Sequence, residues 1–234
     1  MAVTVTGDRS PPLTTVVAER LSHVRARIAA AGGAPDGVAV VAVTKGFGRD
    51  AVEAALEAGL VDVGENYAHE LEDKASGLES AGRTCRWHFL GRIQRNKVRR
   101  VASHVHLWQT VDRLAAGSEI AARSPGARVL VQVNVSGEAA KNGCRFEDAP
   151  ALVDGLRALD LDVRGLMAMG PAGPPENSRP GFRRLAGLAD RLDLVERSMG
   201  MTDDLEVAVQ EGATMIRVGR ALFGARPRRP DLRR

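Results

Sequence analysis

Eight short apolar runs, each followed by a stretch with helical periodicity, constrain this chain more than any other feature. The runs fall at 38–45, 61–63, 87–90, 105–109, 128–134, 163–169, 195–196 and 214–218. Between them, helices are expected at, for example, 98–102, 114–122, 151–159, 182–192 and 205–210. Strand–helix alternation argues for a parallel sheet, because parallel strands need a helical crossover to return the chain to the same edge. Eight units in 234 residues predict an α/β fold closed as a (β/α)8 TIM barrel. A further helix at 13–31 precedes the first strand: Leu13, Val16, Val17, Leu21, Val24 and Ile28 recur at helical spacing and Gly32-Gly33 closes it. It is expected to plug or cap the barrel. Asp50 and Glu53 form a capping-box pattern for the next helix, with Gly59 as its stop. Residues 171–180, PAGPPENSRP, read as the one long and mobile loop. The division expected is a disordered tail at 1–12, one barrel domain at 13–226 and a basic tail at 227–234.

Charge narrows the partners. The net charge is +4, while the residues from Arg217 onward hold seven arginines against Asp231, or +6, which leaves −2 for the rest. The body is nearly neutral, and five Phe, two Trp and one Tyr offer few platforms for stacking bases. The tail from Arg226 onward and the cluster Arg92, Arg95, Lys97, Arg99 and Arg100 therefore read as solvated faces, not as a nucleic-acid surface. No apolar run is long enough to span a membrane and no secretory leader pattern opens the chain. Cys85 and Cys144 are far apart without CxxC spacing, so a reducing, cytoplasmic compartment is expected.

The first strand, Val38-Ala39-Val40-Val41-Ala42-Val43-Thr44-Lys45, ends in a lysine. A run apolar on both faces fits a buried parallel strand, and its carboxyl end is where such folds place ligands. Lys45 is either a lysine reaching water or, partly desolvated, an amine with a freed lone pair for attack on a carbonyl. Loops after the seventh and eighth strands commonly hold phosphate in a barrel. Here they read Ser198-Met199-Gly200-Met201-Thr202-Asp203-Asp204 and Arg217-Val218-Gly219-Arg220, the latter opening a short helix. Each alone is an ordinary turn. Together, across from a strand-end lysine, they favour a phosphorylated carbonyl compound, and pyridoxal 5′-phosphate fits.

Arg217 stands two residues before Gly219, hence on the same strand face, and is placed to donate to a pyridine nitrogen. A permanently charged arginine there keeps that nitrogen unprotonated, so the ring is a poor electron sink. Asn66, after the second strand, and His88, in the third, are expected to face the mouth, although lone polar residues are more often structural. Met167, Met169, Met199, Met201 and Met215 read as core and cofactor-adjacent packing. His104 and His106 share a strand face without the acids or cysteines that would complete a metal site. No nucleophile elbow occurs.

Val41-Ala42-Val43-Thr44-Lys45, Gly64-Glu65-Asn66-Tyr67, Trp87-His88-Phe89-Leu90-Gly91 with Gln94 and Asn96-Lys97, Gly165-Leu166-Met167-Ala168, Ser198-Met199-Gly200-Met201 with Asp203-Asp204, and Arg217-Val218-Gly219 recur in one family's order and spacing. Over residues 13–226 the chain resembles the pyridoxal phosphate homeostasis protein family (YggS/PROSC-like), related to the N-terminal barrel of alanine racemase. The resemblance implies a fold-type III barrel with the cofactor as an internal aldimine on Lys45 and Arg217 facing the pyridine nitrogen. It also implies phosphate held by Ser198, Gly200, Gly219 and the backbone amide of Arg220. The cofactor-binding set expected is Lys45, Asn66, His88, Met167, Ser198, Met199, Gly200, Arg217, Gly219 and Arg220, with no catalytic or metal-ligating residue. Three departures stand out: Arg220 where threonine or serine is common, Gly46 where a bulkier residue is common, and Arg92 for a frequent proline.

Such proteins are described as carriers or regulators that influence vitamin B6 supply and amino and keto acid balance, without firm enzymatic activity. The expected partners are pyridoxal phosphate and the apoenzymes that depend on it. An amino acid racemase is the alternative, but it needs a second base, a tyrosine from a C-terminal β domain, and the only tyrosine here is Tyr67. Lacking that domain, the chain is expected to be a monomer. A Schiff-base aldolase acting on a sugar phosphate would want an acid/base partner beside Lys45, and none adjoins it in sequence. Nucleic-acid binding through the tail would show steep salt dependence.

Overall fold

The computed structural model describes residues 11–138 and 141–226. The expected tails fall outside these residues, save for positions 11 and 12. Eight parallel strands close in sequence order: β1 Ala39–Val43, β2 Asp62–Glu65, β3 Arg86–Phe89, β4 Val105–Val111, β5 Arg128–Gln132, β6 Asp162–Met167, β7 Glu196–Ser198 and β8 Met215–Val218. Closure is made where β1 pairs with both β2 and β8, through Ala42 opposite Val63 and Val41 opposite Arg217. The helices are α1 Leu13–Ala30, α2 Arg49–Glu57, α3 Ala68–Ser80, α4 Arg95–Val101, α5 Leu114–Arg123, α6 Ala149–Arg157, α7 Arg179–Arg191, α8 Leu205–Gln210 and α9 Arg220–Phe223.

The pleat sorts each strand's residues between two spaces. Residues facing outward, such as Val40, Ala42, Trp87, Phe89 and Trp108, join the large core beneath the helices. Those facing inward make a small separate cluster, Val41, Leu107, Leu130, Met167 and Met215. The remaining inward volume is polar, holding His88, Gln109, Gln132, Ser198 and Arg217, all buried. That interior runs up to the carboxyl ends of the strands, where Lys45 stands.

Five sequence expectations need correction. The leading helix neither plugs nor caps the barrel: α1 packs against α2, α8 and α9 in the outer ring, in the place left by the four-residue α9. Its buried stripe is Val17, Leu21, Val24 and Ile28, and Arg27 on its flank reaches the Thr202 carbonyl at 2.8 Å. Next, the capping box does not form, because α2 starts at Arg49 with Gly48 as its N-cap, and Glu53 pairs instead with Arg49 at 3.0 Å.

The 171–180 loop is also shorter than expected. A 3-10 turn, Pro175–Ser178, leads directly into α7, and Pro180 fits that helix's first turn because its ring presets φ. Buried Ser178 ties the segment to Asp204 at 3.1 Å. Finally, the seventh strand is displaced from 195–196 to Glu196–Ser198, with Val195 exposed and Leu194 taking the buried position. His104 likewise precedes β4 and meets Glu79 at 3.0 Å instead of sharing a strand face with His106.

Ile28→Ala tests the structural weight of α1. Loss of this fully buried side chain is expected to lower stability by about 2–5 kcal/mol, read as a shifted denaturant midpoint. An unchanged midpoint would mean that α1 is an appendage.

Candidate functional site

Lys45 lies two residues beyond Val43, on the inward-facing parity of β1, and is half-buried. Desolvation holds its ammonium below the ordinary lysine range. Arg226 and Arg217 push the same way, and Glu65 opposes them. The amine is therefore more available at neutral pH than that of a solvated lysine. It opens into a cavity of about 490 Å³ whose lining includes Asn66, Met167, Thr202, Arg217 and Gly219.

The backbone on both sides of Lys45 is fixed from behind the sheet. Thr44 points outward, and buried Lys74 of α3 donates to its carbonyl at 2.9 Å and to Glu65 Oε1 at 2.5 Å. The Thr44 hydroxyl donates to the same Glu65 oxygen at 2.6 Å. On the other side the Gly46 amide donates to Glu70 Oε2 at 2.8 Å. Gly46 adopts φ +78°, a conformation that glycine takes without strain and that a larger residue would adopt only at a cost. Burial raises the Glu65 carboxyl, against the pull of Lys74 and Thr44. A buried ion pair of this kind adds little net stability but strongly favours one geometry, here that of residues 44–46.

Across the cavity, Arg217 is almost wholly buried. Its guanidinium donates to Ser198 Oγ at 2.7 Å and to the Ala168 carbonyl at 2.8 Å. No carboxylate among the described residues is bonded to it; desolvation pushes its pKa down to about 10, and the charge of Asp204 counters this.

Six of the sequence-derived residues line the cavity: Lys45, Asn66, Met167, Arg217, Gly219 and Arg220. Four do not. The hydroxyl of Ser198 is turned to Gln109, at 2.6 Å, and Met199 is buried in the outer core. Gly200 shapes its turn at φ +93°, with Ala208 only 2.5 Å from where a Cβ would lie. His88 points away from the mouth, to Asp62 at 2.9 Å, because its strand position places it deeper in the barrel. The lining also contains residues the sequence did not single out, among them Phe47, Leu90, Thr202 and Arg226. Thr202 carried a signal in its place on the loop after β7, and its hydroxyl accepts the Ala221 amide at 3.2 Å. Arg226 was assigned to the solvated tail, but the chain leaving α9 folds back over the mouth beside Gly46. The side chain of Arg220 turns to the carboxylate of Asp203 at the rim.

Two features fit a polar, phosphorylated ligand. Asn66 Oδ1 is buried without a hydrogen-bond partner among the described residues, on the cavity wall. At Gly219 a Cβ would lie 3.0 Å from the Val43 carbonyl, so a side chain would be crowded where the loop after β8 passes β1. A larger groove of about 830 Å³ between α6 and α7 lies on the outer surface, far from the strand ends, and two of its arginines, Arg179 and Arg183, are already paired with Glu211. Among the described residues, no cluster of side chains could hold a metal and no helix is long and apolar enough to cross a membrane.

A closed parallel barrel with a desolvated lysine at the end of β1 and glycine loops after β7 and β8 defines the alanine racemase N-terminal class, and that family matches residues 18–227. Within the class, the chain belongs to the pyridoxal phosphate homeostasis protein family. It is 43% identical to the Pseudomonas aeruginosa member over 91% of this chain and 96% of that one, and 37% identical to the Escherichia coli member over 90% and 97%. Among solved structures it is similar to PipY of Synechococcus elongatus with PLP bound, at 30% identity and a TM-score of 0.76, covering 89% of this chain and all of that one. Alanine racemase from Corynebacterium glutamicum, at 16% identity, shares the fold over 91% of this chain and 62% of its own length, with a TM-score of 0.69.

The charges around Lys45 give a test by competitive amine labelling and mass spectrometry across pH. The labelling midpoint of Lys45 is expected below the ordinary lysine range. Arg226→Gln removes a cation that disfavours the ammonium, so the midpoint should move to higher pH. No movement would show that Arg226 does not act on the amine.

Proposed function

We propose that this protein binds pyridoxal 5′-phosphate covalently through Lys45 and serves the supply and balance of that cofactor in the cell, without robust turnover of amino acids. The observation that carries this reading is the lysine with a depressed pKa, facing the cavity it shares with Arg217 and the phosphate-type loop at Gly219. Lys45, kept partly unprotonated by its surroundings, would hold the cofactor through its aldehyde carbon. Backbone amides around Thr202, Gly219 and Arg220 would hold the phosphate, and Asn66 Oδ1 would accept a hydrogen bond from the ligand. When bound, the cofactor supplies an electrophilic carbon and a conjugated ring. Arg217, a donor with no proton to give up, would leave the ring nitrogen bare, which disfavours carbanion chemistry.

Support for a carrier over a racemase comes from the cavity wall. Two-sided proton transfer needs a second base opposite Lys45. Tyr67 is at the N-cap of α3, half-exposed and outside the lining, and Asp203 is engaged by Arg220. The names of the relatives and the cofactor in the PipY structure point the same way. Release to apoenzymes, action as a monomer and a cytoplasmic setting belong to the same proposal. Burial raises both thiols to about 12, so Cys85 and Cys144 are unreactive at neutral pH.

An absorption spectrum of the purified protein incubated with pyridoxal 5′-phosphate is the direct test. The wild type should show a visible band that borohydride bleaches, leaving a modified Lys45 peptide. Lys45→Ala should show neither. A Lys45→Ala protein as yellow and as reducible as wild type would end the covalent reading, and efficient conversion of L-alanine to D-alanine would end the carrier reading.

A further inference from the structure

We infer that Ser198, Gln109, His88 and Asp62 form one directed hydrogen-bond file through the barrel that aims Arg217, which makes them positioning residues for the cofactor site. The inference rests on the reading of that site given above. Arg217 is buried with no bonded counter-ion, so its direction depends on two neutral acceptors, Ser198 Oγ and the Ala168 carbonyl. The carbonyl is fixed by the backbone. The hydroxyl is not, because it accepts from Arg217 only while its own proton points elsewhere.

That proton goes to Gln109 Oε1 at 2.6 Å. The same amide then presents Nε2 to His88 Nδ1 at 2.7 Å, with Met215 Sδ at 3.0 Å beside it. Nδ1 must therefore accept, so the ring carries its proton on Nε2 and donates it to Asp62 Oδ1 at 2.9 Å. Asp62 ends the file as a carboxylate gripped by Arg86 at 2.7 and 2.6 Å. Burial works against that charge, but His88 and Arg86 outweigh it and hold the carboxyl below its usual range.

Every bond points the same way, from Arg217 near the mouth to Asp62 at the opposite rim. Turning the Gln109 amide over would leave the Ser198 proton without an acceptor and would need a second proton on His88 to satisfy Oε1. The observed direction is thus the one that satisfies all five side chains with a neutral ring. A polarised chain of this kind strengthens each of its links and places Asp62's negative charge in communication with a guanidinium whose own bonded partners are both neutral.

Two measurements test this. The first needs no cofactor: nitrogen NMR of the histidine rings in the ligand-free protein is expected to show His88 with Nδ1 bare and Nε2 protonated. A ring protonated on Nδ1 overturns the file whether or not the protein binds pyridoxal 5′-phosphate. The second uses pyridoxal 5′-phosphate as the probe and reads the pH titration of the bound visible band. Gln109→Met keeps the volume but breaks the file, and Ser198→Ala removes the link to Arg217. Both should load yet shift the midpoint by about one pH unit. Gln109→Glu accepts from Ser198 and from a doubly protonated His88, so it should stay near the wild-type midpoint. If Gln109 only filled space, Met would behave like wild type, and that result overturns the proposal. Should Gln109→Met fail to fold, the nearly isosteric Ser198→Ala decides alone: an unshifted midpoint overturns it. Failure of the wild type to load would count against the proposed function and leave the file to the NMR result.

Discussion

Closing eight short parallel strands into a ring commits every second residue of each strand to a space without water, and the rest of this structure follows from how that space is filled. Hydrocarbon fills only part of it, through Val41, Leu107, Leu130, Met167 and Met215. In the remainder Arg217, Ser198, Gln109 and His88 are bonded in series, while Gln132 donates to the Asn142 carbonyl. A barrel interior tolerates this because an unpaired polar atom there is costly whereas a fully paired network is not. The same closure brings Lys45 on β1 beside Arg217 on β8, residues at opposite ends of the sequence.

The two cations that face one another across the cavity are treated differently by their surroundings. Lys45 has its backbone locked by Lys74, Glu65 and Glu70 from the outer side of the sheet, while its side chain is left to reach the cavity. Arg217 is held by its side chain and, among the described residues, is bonded to no carboxylate. One cation is thus made reactive by desolvation and free reach, the other passive by being fixed. That division suits the proposed role, in which an aldehyde is held without chemistry being driven on it.

Much of the barrel was legible in the sequence because uninterrupted apolar runs admit few other readings, and Lys45 stood out because it ends the longest of them. The glycines at 200 and 219 were legible as turns, but the direction of neighbouring side chains was not. Whether Ser198 faces a phosphate or the barrel axis depends on the register of β7 against β6 and β8, which no local pattern encodes. His88 was misjudged for a related reason: the β3–β4 pairing shifts register between Trp87 and His88. Gln109 gave no signal at all, since its importance lies in three neighbours drawn from three other strands. Arg226 was hidden by composition, for it opens an arginine-rich segment that reads as solvent-facing.

The position of α1 has a consequence for how the chain is made. Because α1 fills the gap in the helical ring beside α8 and α9, and β1 finds its second partner only in β8, both earlier elements are completed by ones made much later. A nascent chain lacking its final strand has an open sheet with an exposed edge on β1 and an apolar stripe on α1 with half its cover missing. Closure must therefore await β8, and contacts of such long sequence separation form slowly. Lys45 acquires its pocket only once β8 and the loop after it have been made, so a chain stopped before them cannot present a finished binding site.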